Sequence, residues 1–177
     1  MRHFSATEIL VLVLVLVAAG TDIRWRKIPN WLTLSGILAG LGINCWLSGW
    51  SGLATSGEGL LLGFGVYIVL YALRAMGAGD VKLMAAVGSV VGPTNWILVF
   101  IASALAGGVL AVALMIRSGR AKQTLWNSLF ILGELLHFRA PYERRKELDV
   151  KDPRALNMPH GVAIAAGTMV CLWFALV

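Results

Sequence analysis

Six apolar stretches, spaced along almost the whole chain, constrain this sequence more than any other feature. They run approximately Phe4–Gly20, Trp31–Leu47, Gly59–Leu73, Val81–Val91, Trp96–Ile116 and Gly161–Val177. A helix that crosses a bilayer needs about 20 apolar residues, within about 17–25. Four stretches reach or nearly reach that length. The third is short unless its flanks join it. The fourth is shorter still and open to a re-entrant reading.

Composition points the same way. The chain is 58% hydrophobic and 14% charged, with mean hydropathy +0.79. Soluble domains are about 45–50% apolar and about 25% charged, so the excess calls for an apolar solvent. The net charge of +6 does not mark a nucleic-acid binder. Such proteins gather Lys and Arg on one face, whereas here the basic residues fall in the gaps between apolar stretches. That is the pattern of loops on one side of a membrane. Six crossings with both termini outside put 14 of the 15 Lys and Arg on the cytoplasmic side, leaving only Arg2 outside. Without a fourth crossing the heavily basic fifth loop would face outward, against that bias. The expectation is an all-α membrane protein: a bundle of six transmembrane helices, multi-pass in the cytoplasmic membrane, forming one domain over residues 1–177.

The stretch 117–160 reads as a basic cytoplasmic loop. Within it, Leu125, Leu129, Leu132 and Leu136 recur at helical spacing. This predicts a surface helix over 124–138 lying on anionic headgroups. The first stretch follows a thin basic segment, Arg2 and His3, without a clear cleavage site, and reads as a retained span. Cys45 and Cys171 each lie in an apolar run and read as small buried hydrophobes, implying neither zinc nor a disulfide framework. Gly36-x-x-x-Gly40 and Gly59-x-x-x-Gly63 allow close helix approach, here expected within one bundle.

Most of the nine acidic residues are easily placed. Glu143, Glu147, Asp149 and Asp152 sit in the basic loop, and Glu134 on the surface helix. Glu58 opens the third span, and Glu8 lies near the outer end of the first, where snorkelling or an interhelical partner would serve it. Asp22 and Asp80 differ. One ends the first span and the other begins the fourth, so the topology puts both at one depth on the inner side. Two close carboxyl groups do not readily both ionise and can share a proton. One can then take a proton from water while the other polarises a carbonyl. Asp80 lies near a helix N-terminus and Asp22 near a C-terminus, so Asp80 is expected to ionise first. Gly77 and Gly79 can adopt backbone angles closed to other residues and bring the backbone close to an extended substrate.

At these residues the sequence resembles a known family. Met76-Gly77-Ala78-Gly79-Asp80-Val81-Lys82-Leu83 resembles the Gly-x-Gly-Asp motif of the type IV prepilin peptidases. Asp22, followed by Ile28-Pro29-Asn30, resembles that family's first catalytic aspartate and its Ile-Pro-Asn. Met158-Pro159-His160-Gly161 resembles the Pro-x-Gly segment that opens its last span. The resemblance implies an aspartic endopeptidase that cuts a short leader from prepilins at the cytoplasmic face, just before a hydrophobic helix. It makes Asp22 and Asp80 the catalytic pair, with Gly77, Gly79 and Lys82 shaping the site. Lys82 reads equally as positive-inside charge, and Arg24 and Arg26 as topology signals rather than substrate clamps. Pro29 reads as a helix start, Asn30 as a cap, and Trp25 and Trp31 as interface anchors. Larger members carry an N-terminal Cys-x-x-Cys domain linked to methyl transfer. Here the first span begins almost at Met1, which resembles the short, peptidase-only branch that serves Flp/Tad-type pilins. No cofactor or metal is implied. The partners implied are prepilins, the lipid bilayer, and pilus or secretion assembly proteins.

Three other readings compete. A small ion- or proton-coupled transporter could use the same aspartates, since intramembrane acids also mark ion paths. A non-catalytic assembly factor would bind pilins without either aspartate. A presenilin-type protease shares the Gly-x-Gly-Asp element, but needs a different sequence around its first aspartate.

Overall fold

The computed structural model describes residues 4–73, 76–117 and 160–174. Among the described residues the chain is all helical, with α1 (Ala6–Trp25), α2 (Asn30–Ala72), α3 (Ala78–Arg117) and α4 (His160–Trp173). The first three are each long and apolar enough to cross a membrane. The predicted surface helix at 124–138 lies outside the described residues, as does all of the basic loop but its end residues, Arg117 and His160.

The lengths of α2 and α3, 43 and 40 residues, need explaining. A straight 43-residue helix would run about 64 Å, roughly twice the hydrocarbon thickness of a bilayer. Neither helix is straight. The backbone leaves helical angles at Gly49 (φ 62°, ψ −140°) and at Gly92 (φ 76°, ψ 173°). Glycine enters this positive-φ region without the clash that a Cβ brings. Both breaks turn the chain back on itself. A Cβ on Gly52 would strike the carbonyl oxygen of Asn44, which a continuous helix would hold about 12 Å away. Across Gly92, the indole Nε1 of Trp96 donates to the Met84 carbonyl at 3.0 Å. Pro93 follows that break, in the first turn of the next segment, where a missing N–H costs nothing.

The gap between the second and third apolar stretches, Ser48–Glu58, is therefore not a loop. Only Gly49 leaves helical geometry, and the hydroxyls of the segment are absorbed by its own helix. Ser51 Oγ donates to the Ser48 carbonyl at 2.8 Å and Thr55 Oγ1 to the Ser51 carbonyl at 3.0 Å. Glu58 thus lies inside a helix, exposed, and does not open one. The acid at the start of α1 has a role that the sequence reading missed. Glu8 closes a capping box with Ser5: the Ser5 N–H donates to Glu8 Oε2 at 2.6 Å, and the Glu8 N–H to Ser5 Oγ at 3.2 Å.

The shortest apolar stretch forms the middle of the molecule. In the first half of α3, residues 83–90 are all buried, with Leu83, Met84, Ala86 and Val87 at 0% exposure. Its small residues let neighbours approach from several sides. Gly36 lies against Ala86 and Gly40 against Ser89, so the first half of α2 runs parallel to it. Ser56 meets Ser89, Gly59 meets Gly88 and Gly63 meets Met84, so the second half runs antiparallel. Both Gly-x-x-x-Gly pairs are therefore used inside the bundle, as expected. The break at Gly92 leaves carbonyls at the end of this central helix without helical donors. Asn44 Nδ2 donates to those of Ser89 and Val90, each at 3.1 Å, and Ser56 Oγ also donates to Ser89. The broken end is thus satisfied by protein groups.

Outside this core, large apolar side chains such as Leu34, Leu38, Leu61, Leu105 and Val109 are exposed, as expected for a surface solvated by lipid. Cys171 is buried, but Cys45 is exposed, because its helix turns that face away from the bundle. Trp25 and Trp31 expose most of their surface.

Candidate active site

The site forms where α1 ends, α2 and α3 begin, and α4 starts. Asp22 lies in the last turn of α1. The chain then reverses through Arg26, whose left-handed backbone (φ 52°) lets its N–H donate to the Asp22 carbonyl at 2.9 Å. Ile28-Pro29-Asn30 leads into α2. Pro29 takes the cap position in extended geometry and Asn30 is the first helical residue. Asn30 is thus not the cap expected from the sequence. Its Oδ1 instead accepts a hydrogen bond from Lys82 Nζ at 2.9 Å, tying the start of α2 to the start of α3.

Asp80 is 7% exposed, in the first turn of α3. Its Oδ2 accepts the Gly77 N–H at 3.1 Å, while its own N–H donates to the Gly77 carbonyl at 3.1 Å. The carboxylate therefore closes its own turn, as an acid three residues into a helix commonly does. The two site glycines do not use left-handed angles. Among the described residues, the only positive-φ glycines are Gly49 and Gly92. What Gly79 provides is space, since a Cβ there would lie 3.2 Å from Ile28 Cβ.

Asp22 and Asp80 line one pocket of about 500 Å³, shared with Arg26, Lys27, Ile28, Asn30, Gly77, Gly79 and Lys82. The residues singled out in the sequence are thus brought together. Arg26 and Lys27 also join the wall, where the sequence reading gave both only a topological role. Asp22 and Asp80 lie close enough to interact electrostatically, and His160 also acts on Asp80, in the opposite sense.

The last helix supplies what sequence reasoning missed. The Gly161 N–H donates to Asp22 Oδ2 at 2.9 Å. Asp22 therefore meets a helix N-terminus as well as the C-terminus of its own helix. The helix-end asymmetry that set the expected order of ionisation is not the arrangement found, because each carboxylate holds a backbone N–H at a helix start. The Pro-x-Gly landmark carried a signal for this contact, but only folding shows its partner. Among the described residues, no cluster of three or more His, Cys, Asp or Glu side chains is placed to hold a metal ion.

The fold and pocket define a class: a protein of membrane character, all helical among the described residues, that presents two carboxylates in one polar pocket. The chain matches the type IV leader peptidase family over residues 9–112, and it belongs to that family. The matched region carries α1, α2 and most of α3, with both aspartates. Membership supports a leader-peptidase function and implies prepilin substrates. Neither the curated proteins nor the solved structures compared with the chain include a match.

Proposed function

We propose that this chain is an intramembrane aspartic endopeptidase that removes the short leader from prepilins, with Asp22 and Asp80 as its catalytic pair. The observation that carries the reading is that both carboxylates line one polar pocket, each anchored by a backbone N–H. In the mechanism, one carboxylate is ionised and the other protonated. The ionised group takes a proton from water, and the resulting hydroxide adds to the scissile carbonyl carbon. The protonated group donates to the carbonyl oxygen. Collapse of the adduct breaks the C–N bond as the amine leaves with a proton, and the pair returns to its starting state. Gly77 and Gly79 keep the wall close to Asp80, and Lys82 holds the α2 and α3 starts together.

The two reversals, at Gly49 and Gly92, support six crossings within a single domain over 1–177, with the 117–160 loop and its surface helix on the inner side. Arg26, Lys27 and Lys82 at the pocket support a site at the cytoplasmic face of the inner membrane. The activity is that of a peptidase without methyl transfer acting on Flp/Tad-like pilins, beside pilus or secretion assembly proteins.

The test is cleavage by the purified full chain in detergent or nanodiscs, using a leader-bearing prepilin. Asp22→Asn and Asp80→Asn should each abolish release of the leader while leaving helical content unchanged. Full cleavage by either variant would remove it from the catalytic pair. Mass analysis of the product should show an unmethylated new N-terminus.

A further inference from the structure

We propose that an apolar groove between the second half of α2, the second half of α3 and α4 receives the hydrophobic helix of the substrate, on the reading that Asp22 and Asp80 cut the bond beside it. The groove encloses about 340 Å³ and is lined by Tyr67, Met76, Phe100, Gly108, His160 and Ile164, among others.

Two observations tie this groove to the carboxylates. His160 lines it, acts electrostatically on Asp80, and immediately precedes the glycine whose N–H binds Asp22. Met76 also lines it and immediately precedes Gly77, whose N–H binds Asp80. The groove therefore opens at the level of both aspartates and runs from there along apolar helices.

Its apolar helical walls define the occupant. A polypeptide lying along apolar helices in lipid must satisfy its own backbone, so it enters as a helix. One wall is made of small residues, Ala104, Gly107, Gly108 and Ala111, which let a second helix come close. Beyond it stands an aromatic set, in which Trp96 stacks on Phe100 at 5.3 Å and Tyr67 meets both edge-on. This set gives the groove a rigid floor. A leader-bearing substrate has its cleavage site directly before an apolar helix, so seating that helix here presents the bond to the pocket.

Gly108 offers a clean test, because a Cβ built there meets nothing within 4 Å. Gly108→Leu should fill the groove without disturbing the fold. With full-length prepilin, kcat/KM should fall about tenfold or more, mainly through KM. A short peptide that spans the cleavage site but lacks the helix should be cut as by the wild type. Unchanged cleavage of the full-length substrate would overturn the groove, as would an equal loss on both substrates. A second measurement uses photo-crosslinkers in the Asp80→Asn chain. A probe at Ala111 should capture the substrate helix, and one at Val109, which is 71% exposed and outside the groove, should not. The reverse pattern, or capture of lipid alone at Ala111, would also refute the proposal. If Asp80→Asn still cleaves, the catalytic reading fails on its own and the crosslinking result still decides the groove.

Discussion

Gly161 and Asp22, 139 residues apart, are joined by a backbone N–H donating to Oδ2 at 2.9 Å. This bond fixes one carboxylate of the pocket to the first turn of the last helix. It also explains why glycine stands at 161. A Cβ there would lie 3.0 Å from Asp22 Oδ2 and 3.1 Å from its Cβ. Gly161→Ala should push the carboxylate aside. A displacement of about 1 Å at a reacting group can cost roughly a hundredfold in rate. Turnover should therefore drop by about ten- to a hundredfold, with stability lowered by no more than about 1–3 kcal/mol. Cleavage kinetics and thermal unfolding of the same preparation check this, and wild-type turnover would show that the contact is dispensable.

The central helix makes a contrast among glycines that unfolding can read. A Cβ on Gly59 would meet the Gly88 carbonyl, and a Cβ on Gly88 would meet the Gly59 carbonyl. Backbone stands on both sides, so neither helix can yield by moving a side chain. Gly88→Ala should destabilise by about 1–3 kcal/mol. Gly65 lies in the same half of α2 as Gly59, but a Cβ there meets nothing within 4 Å. Gly65→Ala should instead stabilise by up to about 1 kcal/mol through helix propensity. Parallel denaturation in one detergent compares the two, and equal effects would mean that the helices do not meet as described.

The contrast also shows how much the sequence could reveal. Counting apolar stretches brought Asp22 and Asp80 to one depth, because hydrophobic length and loop charge are additive properties of the chain. Both reversals were legible, because each falls in a gap between apolar stretches. The helical form of the gap at Gly49 was not, since its serines and threonines read as loop until their hydroxyls are seen bonded within the helix. The position of Lys82 was legible but its Asn30 partner was not, because that contact depends on the relative rotation of two helices. The Gly161 contact is carried by a backbone N–H, which every residue but proline possesses, so no residue pattern in the sequence named its acceptor.

Asn44 holds the end of the central helix closed. Its amide donates to the carbonyls of Ser89 and Val90, which the break at Gly92 leaves without helical partners. Asn44→Leu fits an apolar setting but abandons both acceptors. A buried polar group left unpaired costs about 1–3 kcal/mol, and Ser56 still serves Ser89. The variant should therefore lose about 1–3 kcal/mol of stability, while a Leu at neighbouring Cys45, exposed at the bundle surface, should change it little. A thermal melt that ranks the two variants together would show that the Asn44 bonds contribute nothing net.

The Lys82–Asn30 bond separates a structural role for this lysine from a purely topological one. Both residues line the pocket, and the 2.9 Å contact joins the helix that follows Ile28-Pro29 to the helix that carries Asp80. The pair is exposed, so its coupling energy should be modest, about 0.5–1 kcal/mol. If the bond sets the spacing of the pocket walls, Lys82→Met and Asn30→Ala should each lower turnover severalfold, and the double variant should be little worse than either single one. A double-mutant cycle on kcat/KM measures this directly. Lys82→Arg keeps the charge that loop topology needs, yet it changes the reach and shape of the donor. Full activity in both Lys82→Arg and Asn30→Ala would mean that Lys82 serves only to place its loop on the basic side of the membrane.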